Sequence, residues 1–596
     1  MIARLRSLFV AGFYLIVAVI ALDALVANFG AAMPGIVAFQ ASDQIQPSEF
    51  DIFLWDLWWV RHAVLDLHVS PLYTNHLVYP FTSPLAGHTL ALLWGILSAP
   101  FQPVLGLIPT YNGIIVLSFV AAGTLTYLFV RRHVRYESVA ALAGLIFAFT
   151  PAMLHRASVG HLDKLSTFWL PLVLLVWDKI IETRRWTWAV ILGLCLYLSW
   201  LTDFQQAMWA LLLLVPYALY TMVKPHSHGD TQTLKAPRTC VPVWLILLVF
   251  AALLIPALFA PLPQLLEANR LSYPLARLED TAYFGFPLRN LLAPGENGDF
   301  SVGALLPLLA LVAVPFVRRD GRRWLWLGIA AVCFLLALGP YVDVGSTRVP
   351  LPYALVHAAL GSQYRTPMRF ATPGVLALAL FVALTLDRLI SNLQPFDYAQ
   401  GRPQTLRLRS GQASNLKLQT IKSRLHLALI AALALAFVLD YRLLEPFPIT
   451  RMPDYQAYRD IAAEPGEFAV LDIPIGVRTG FAIVGRGEYL QYYQPIHQRP
   501  IPAGYLSRLP NEIMDYFFYD PLVGSLTLSH ALPPMAEADA GLERLIRDWN
   551  VGYVILHRDL LEPGRVTAFT NLLDRQPALE RAGEEGPLLI YRARTP

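Results

Sequence analysis

Apolar runs long enough to cross a bilayer recur along this 596-residue chain, and they limit its fold more than any motif does. A hydrocarbon core roughly 30 Å thick takes about 20 helical residues to span. Inside it every backbone amide must be satisfied within its own segment, so such runs fold as helices. They lie near residues 7–29, 112–130, 138–154, 165–181, 187–201, 204–223, 241–260, 301–317, 324–340, 369–391 and 425–444. Of all residues, 56% are hydrophobic and 15% charged, against roughly 25% charged in a soluble domain. The chain reads as a polytopic α-helical membrane protein with about eleven transmembrane helices.

Residues 88–108 are also apolar, but Pro100 and Pro103 interrupt them and Pro109 follows directly. Proline removes a helical hydrogen bond, which lipid cannot replace. Charge settles the matter, because cytoplasmic loops carry the excess of Lys and Arg. If 88–108 does not cross, Arg131, Arg132 and Arg135 fall inside, as do Lys179, Arg184 and Arg185. So do Lys224, Lys235, Arg238, the quartet Arg318, Arg319, Arg322 and Arg323, and the basic stretch 402–424. A crossing at 88–108 would turn every later cluster outward. The expected topology is a multi-pass plasma-membrane protein with a cytoplasmic N-terminus. Residues 30–111, 155–164, 261–300, 341–368 and 445–596 then share the extracytoplasmic side.

Residues 1–444 make up the multi-span unit, with a first outer loop at 30–111 and a flexible cytoplasmic loop at 392–424, rich in Gln, Ser and Arg. The first run follows Arg4 and Arg6 and is read as a retained anchor rather than a cleaved signal, given its length. Beyond Leu444 the pattern changes. Glu467–Ile473, Val551–Leu556 and Leu588–Tyr591 read as strands and 537–549 as an amphipathic helix, predicting a small extracytoplasmic α/β domain over 445–596. The net charge of +4 is spread over short loops, so nucleic acid is not an expected partner. Cys195, Cys240 and Cys333 form no disulfide or metal-binding pattern.

The first outer loop stands apart from this bland background. It concentrates carboxylates, tryptophans and a histidine between Ser42 and Asp66. In a helix, Asp51, Trp55, Trp58, His62 and Asp66 follow at steps of three or four and share one face.

The layout of one span, an acidic-aromatic outer loop, many further spans and an outer C-terminal domain resembles the GT-C superfamily of membrane glycosyltransferases. More narrowly it is similar to bacterial GT-C-like proteins of the YfhO group. The segments carrying the resemblance are Asp51 to Trp59, Pro71 to Pro80, Gly160 to Leu172, Tyr364 to Phe370 and His497 to Arg508. The resemblance implies inverting transfer of a sugar from a polyprenyl-phosphate donor to a lipid, glycan or protein acceptor of the cell envelope. It also implies Asp51 as the general base. Where relatives often carry an Asp in the segment that here runs from Thr74 to Pro80, this chain has Asn75.

That chemistry needs a base, cations for the departing phosphate and surfaces for the sugar. Arg365 and Arg369, four apart, are expected to share a helical face and grip phosphate. His161 and Asp163 suit acceptor orientation or a divalent cation, whose requirement stays open. Trp55, Trp58, His62, Tyr283 and His497 complete the candidate binding set. Each has a plainer reading. Asp51 suits a helix N-terminus, and the tryptophans suit a membrane-interface belt. The arginines suit interface anchoring, His161 and His155 a satisfied loop, and Glu279 and Asp280 beside Tyr283 a solvated turn. Asp203 requires either a span edge or a cavity. The rival to an enzyme is a non-catalytic scaffold or a lipid or polysaccharide transporter. Against transport, no internal repeat is visible and few ionisable groups sit deep in the runs.

Overall fold

The computed structural model describes residues 2–36, 49–85, 87–223, 274, 276–287, 301–317, 320–344, 346–359, 364–393 and 411–594. Among them three helices are long and apolar enough to cross a membrane: Leu107–Val130, Phe204–Val223 and Pro367–Asn392. A fourth crossing exists if Glu137–Ala148 and Pro151–Ser158, bent by 43°, act as one broken span. The bend falls at Pro151, which cannot donate into the preceding turn. Shorter apolar helices occupy Arg6–Ala21, Trp186–Thr202 and Leu305–Phe316. The runs expected at 165–181 and 324–340 fold as Trp169–Thr183 and Gly321–Ala337. The run at 241–260 lies outside the described residues.

Residues 88–108 form two helices, Leu92–Ser98 and Gln102–Leu105, each too short to span a hydrocarbon core. In the stretch expected as a flexible loop at 392–424, residues 411–424 instead begin a helix, Gly411–Asp440. Its end is put to use. Asp440 accepts from the backbone amides of Ala304 and Leu305 at 3.1 and 3.0 Å, capping the Leu305–Ala313 helix from another part of the chain.

The spans close tightly where side chains are small. Tyr14 donates to the Ala141 carbonyl at 2.8 Å, and a Cβ on Gly144 would stand 2.1 Å from the Tyr14 hydroxyl. Glycine there lets the first helix, Leu107–Val130 and Glu137–Ala148 meet.

The C-terminal unit is α/β, with a four-stranded sheet ordered Leu579–Glu585, Leu588–Ala593, Val551–His557, Ala469–Ile473. The last pair is parallel, with Val554 opposite Leu471, and the others are antiparallel. The helix Met535–Asp548 precedes the Val551–His557 strand and packs against it, its apolar stripe of Ala538, Leu542 and Leu545 buried.

The segment between the first helix and Leu107–Val130 is woven into this unit. Met33–Pro34 pairs antiparallel with Ile449–Thr450. Tyr79 donates to the Ile501 carbonyl at 3.0 Å, and Ile501 donates to His76 at 2.9 Å. Two hydrophobic cores result. The first holds the spans together with Phe50, Ile52, Phe53, Leu54 and Leu57. The second holds Trp55, Trp58, Trp59, Leu77 and Val78 together with Ile473, Val554 and Leu556 of the sheet. The helix Phe50–Arg61 is the wedge between them.

Removing the distant cap tests this assembly. Asp440→Ala should destabilise the detergent-solubilised protein by about 1 kcal/mol, the usual cost of a lost N-terminal cap, while Asp440→Asn keeps most of it. Thermal unfolding of the three proteins side by side checks the ranking.

Candidate functional site

The site grows from the N-terminal end of the Phe50–Arg61 helix. Glu49 precedes it, and its backbone amide donates to the Val159 carbonyl at 2.9 Å, which ties the helix start to the 159–161 loop. Gly160 makes this approach work. It has φ +84°, and a Cβ there would lie 2.8 Å from Phe50 Cα and 2.6 Å from the Tyr111 hydroxyl. Tyr111 instead donates to the Gly160 carbonyl at 2.5 Å.

Glu49 takes two charge-assisted bonds. His161 Nε2 donates to Oε2 at 2.6 Å, and an Arg478 guanidinium nitrogen donates to Oε1 at 2.6 Å. Burial works to raise the Glu49 pKa, but His161, Arg478 and Arg369 together hold it well below the usual carboxylate range. Asp51, two residues along, takes the opposite course. It is 4% exposed and accepts from the Gln491 side chain, Nε2 at 2.9 Å. Burial, followed by the neighbouring Glu488 charge, pushes it up to about 8. Gln491 is itself held by accepting from the Tyr505 amide at 2.8 Å.

Below this pair lies a denser ionic knot. Lys164 Nζ donates to Asp163 Oδ2 at 2.7 Å and also to Asp203 Oδ2, with both Asp163 and Lys164 buried. Burial opposes the Asp163 charge, yet the Lys164 ammonium beside it brings its pKa below the ordinary value. With its amide oxygen turned toward the cations, Gln205 accepts from Lys164 at 3.0 Å and Arg369 at 3.2 Å. Asp203 therefore sits at the break between Trp186–Thr202 and Phe204–Val223, neutralised by Lys164.

Arg365 and Arg369 do not share a helical face. Thr366 precedes proline and is driven out of the helical region, with φ −116° and ψ 74°, so only Pro367–Phe370 turns. Arg369 points to Gln205, whereas Arg365 lies over the rings of Phe284 at 5.2 Å and Phe481 at 5.1 Å. Burial, with Arg369 and Arg478 nearby, lowers the Arg365 pKa. Arg508 covers the same Phe481 ring at 4.2 Å.

The predicted face of the Phe50–Arg61 helix exists, but it meets protein. Trp55 Nε1 donates to Gln494 Oε1 at 2.6 Å and its ring stacks on Trp59 at 5.5 Å. Trp58 stacks on His62 at 4.7 Å, and His62 Nδ1 donates to Asp66 at 2.9 Å. Trp55 and Trp58, 1% and 4% exposed, are core residues, neither a membrane belt nor an open stacking surface. His497 is buried against Tyr458 and accepts from the Arg499 amide at 3.0 Å; burial pushes its pKa down to about 4. Tyr283 is 71% exposed, and its neighbour Phe284 is the ring that meets Arg365.

His161, Asp163 and Arg369 thus bond into a cluster with Glu49, Lys164, Arg478 and Gln205, and Asp51 and Arg365 lie within electrostatic reach of it. Trp55, Trp58, His62, Tyr283 and His497 stand outside it. Asp56 is a further omission: fully buried, it accepts from His88 Nε2 at 3.0 Å, while His88 Nδ1 accepts from the Ser507 amide at 3.1 Å. Glu49 and Lys164 adjoin residues singled out by motif. Arg478, Glu488 and Gln491 come from a remote segment with no local signal. Among the described residues no group of three or more His, Cys, Asp or Glu is arranged to hold a metal ion.

Residues 59–396 match the family described as a domain of unknown function, DUF6311. That is more than half of the chain, and the protein belongs to this family. Among curated proteins none matches its sequence. Among solved structures, the arabinofuranosyltransferase AftD from Mycobacteria is similar at TM-score 0.53 and 15% identity, covering 100% of this chain and 40% of that one. The chain therefore shares the fold of that protein and spans 40% of its length. The Archaeoglobus fulgidus oligosaccharyltransferase tethered with an acceptor peptide gives 0.46 at 12% identity, covering 92% and 68%. ArnT from Cupriavidus metallidurans bound to undecaprenyl phosphate gives 0.46 at 11%, covering 98% and 97%.

The raised Asp51 pKa has a measurable sign. A carboxyl whose folded value lies above its ordinary 3.8 favours the folded state below that pH, and the contribution is lost as pH rises through about 8. Asp51→Asn removes this dependence. Its melting temperature relative to wild type should climb between pH 4 and 8 and level off above. A constant difference across that range would contradict the buried neutral carboxyl.

Proposed function

We propose that this chain is a GT-C glycosyltransferase that transfers a sugar, with inversion, from a polyprenyl-phosphate-linked donor to a lipid, glycan or protein acceptor of the cell envelope. The reading keeps about eleven spans, a cytoplasmic N-terminus and the α/β unit outside the plasma membrane. One observation carries it: Arg365 and Arg369 sit half-buried beside Arg478, and neither is ion-paired to a carboxylate among the described residues. Cations left in surplus next to buried carboxylates are what a departing lipid phosphate requires. The shared fold with an arabinofuranosyltransferase supports sugar transfer as the reaction class.

In this reading Asp51 is the general base, and Arg365 and Arg369 take the phosphate. His161 and Asp163 position the acceptor through Glu49 and Lys164. Asp51 is neutral near pH 7 while Gln491 covers it. It becomes a base when the Glu488–Tyr493 turn withdraws and water lowers its pKa. The same cover favours a second reading, a non-catalytic scaffold whose former site is filled by side chains.

Turnover of labelled polyprenyl-phosphate sugar in membranes separates them. Asp51→Asn should slow transfer by about 10²–10⁴-fold, the usual worth of a general base. Wild-type activity should rise as pH approaches about 8, and Arg365→Ala should raise the donor KM. Full activity in Asp51→Asn rules out Asp51 as the base. No transfer by wild type leaves the scaffold.

A further inference from the structure

At the end of the Leu107–Val130 helix away from this network, a cavity of about 540 Å³ opens between the 131–136 loop, the start of the Gly321–Ala337 helix and the end of the Ala371–Leu393 helix. Its charged lining is Arg135, Arg322, Arg323 and Arg388 against Asp320 and Asp387. The two carboxylates are already committed. Asp387 Oδ1 accepts from the backbone amides of Arg135 and Tyr136 at 2.7 and 3.1 Å. Asp320 caps its helix through the Arg322 amide at 3.0 Å and accepts from Arg323 Nε at 2.8 Å. Arg323, 2% exposed, also donates to the Phe316 carbonyl at 3.0 Å and is a fixed part of the wall.

Arg322 is placed differently. His133 directs Nε2 at Asp178 Oδ2, 2.9 Å away, and its other ring nitrogen, Nδ1, faces an Arg322 guanidinium nitrogen at 3.4 Å. Among the described residues Arg322 has no carboxylate within ion-pair distance. Arg388 is exposed on the last turns of its helix, also without one. The cavity thus holds two guanidinium groups, Arg322 and Arg388, that form no ion pair with a carboxylate among the described residues. Guanidinium forks match phosphate oxygens, and basic pockets between spans suit lipid head groups.

We propose that this cavity binds a phosphate group, carried either by the head of an anionic phospholipid or by a soluble phosphate. It is separate from the donor site and independent of the reading given for it. Arg322 and Arg388 supply the grip, and the His133–Asp178 pair sets the Arg322 orientation.

Two arms distinguish the sources, both on the full chain in nanodiscs. In mixed phosphatidylglycerol and phosphatidylcholine discs, native mass spectrometry should find phosphatidylglycerol retained selectively. That retention should fall about fivefold for each of Arg322→Gln and Arg388→Gln. In phosphatidylcholine-only discs, inorganic phosphate should raise the melting temperature of wild type and not of these variants if the ligand is soluble. Either result supports the site. Arg388→Gln alters an exposed side chain, so misfolding does not obscure it. Arg185→Gln, an exposed change outside the cavity, is the control. Equal loss in Arg185→Gln, or no difference between wild type and the cavity variants in both arms, overturns the proposal.

Discussion

The Phe50–Arg61 helix is buried on both faces, and most of the polar chemistry near it follows from that constraint. One face joins the core of the spans and the other joins the core of the α/β unit. A carboxylate taken from water costs several kcal/mol unless it is paired or protonated. The three acidic groups at this helix meet the demand in three ways. Glu49 gathers two cations, Asp51 keeps its proton under Gln491, and Asp56 pairs with His88.

That wedge makes the segment around it, the apolar helices and the C-terminal unit interdependent. Arg478 and Gln491 reach the helix from the α/β unit, and His161 reaches Glu49 from the loop before Trp169–Thr183. The ionic knot of Asp163, Lys164 and Asp203 continues into the ends of the spans. A movement of the Glu488–Tyr493 turn would therefore change the charge on Asp51 without altering any residue of the membrane unit. The far end of the Leu107–Val130 helix follows another pattern, where backbone amides and an Arg323 ion pair occupy Asp387 and Asp320 and leave Arg322 and Arg388 without an ion pair among the described residues.

Much of the architecture was legible in advance because hydrophobic length and period are local properties. The helices near 112–130, 187–201, 204–223 and 369–391 begin and end within a few residues of their apolar runs. So do the strands at 469–473, 551–557 and 588–593. The helical face through Asp51, Trp55, Trp58 and His62 was also correct as geometry. Its partner was not, because nothing in a period of 3.6 says whether an aromatic face meets lipid, sugar or another domain. Arg365 and Arg369 failed for a local reason, the proline at 367, which spacing alone overlooked.

The sequence by itself determined that most apolar runs among the described residues are helical, and that carboxylates cluster between Ser42 and Asp66. These depend on neighbours a few residues apart. Only the tertiary structure decided which carboxylate is ionised. Asp51 and Glu49 stand two residues apart with similar chemistry. Their pKa values diverge because one faces Gln491 and Glu488 and the other faces His161 and Arg478, all brought from distant parts of the chain.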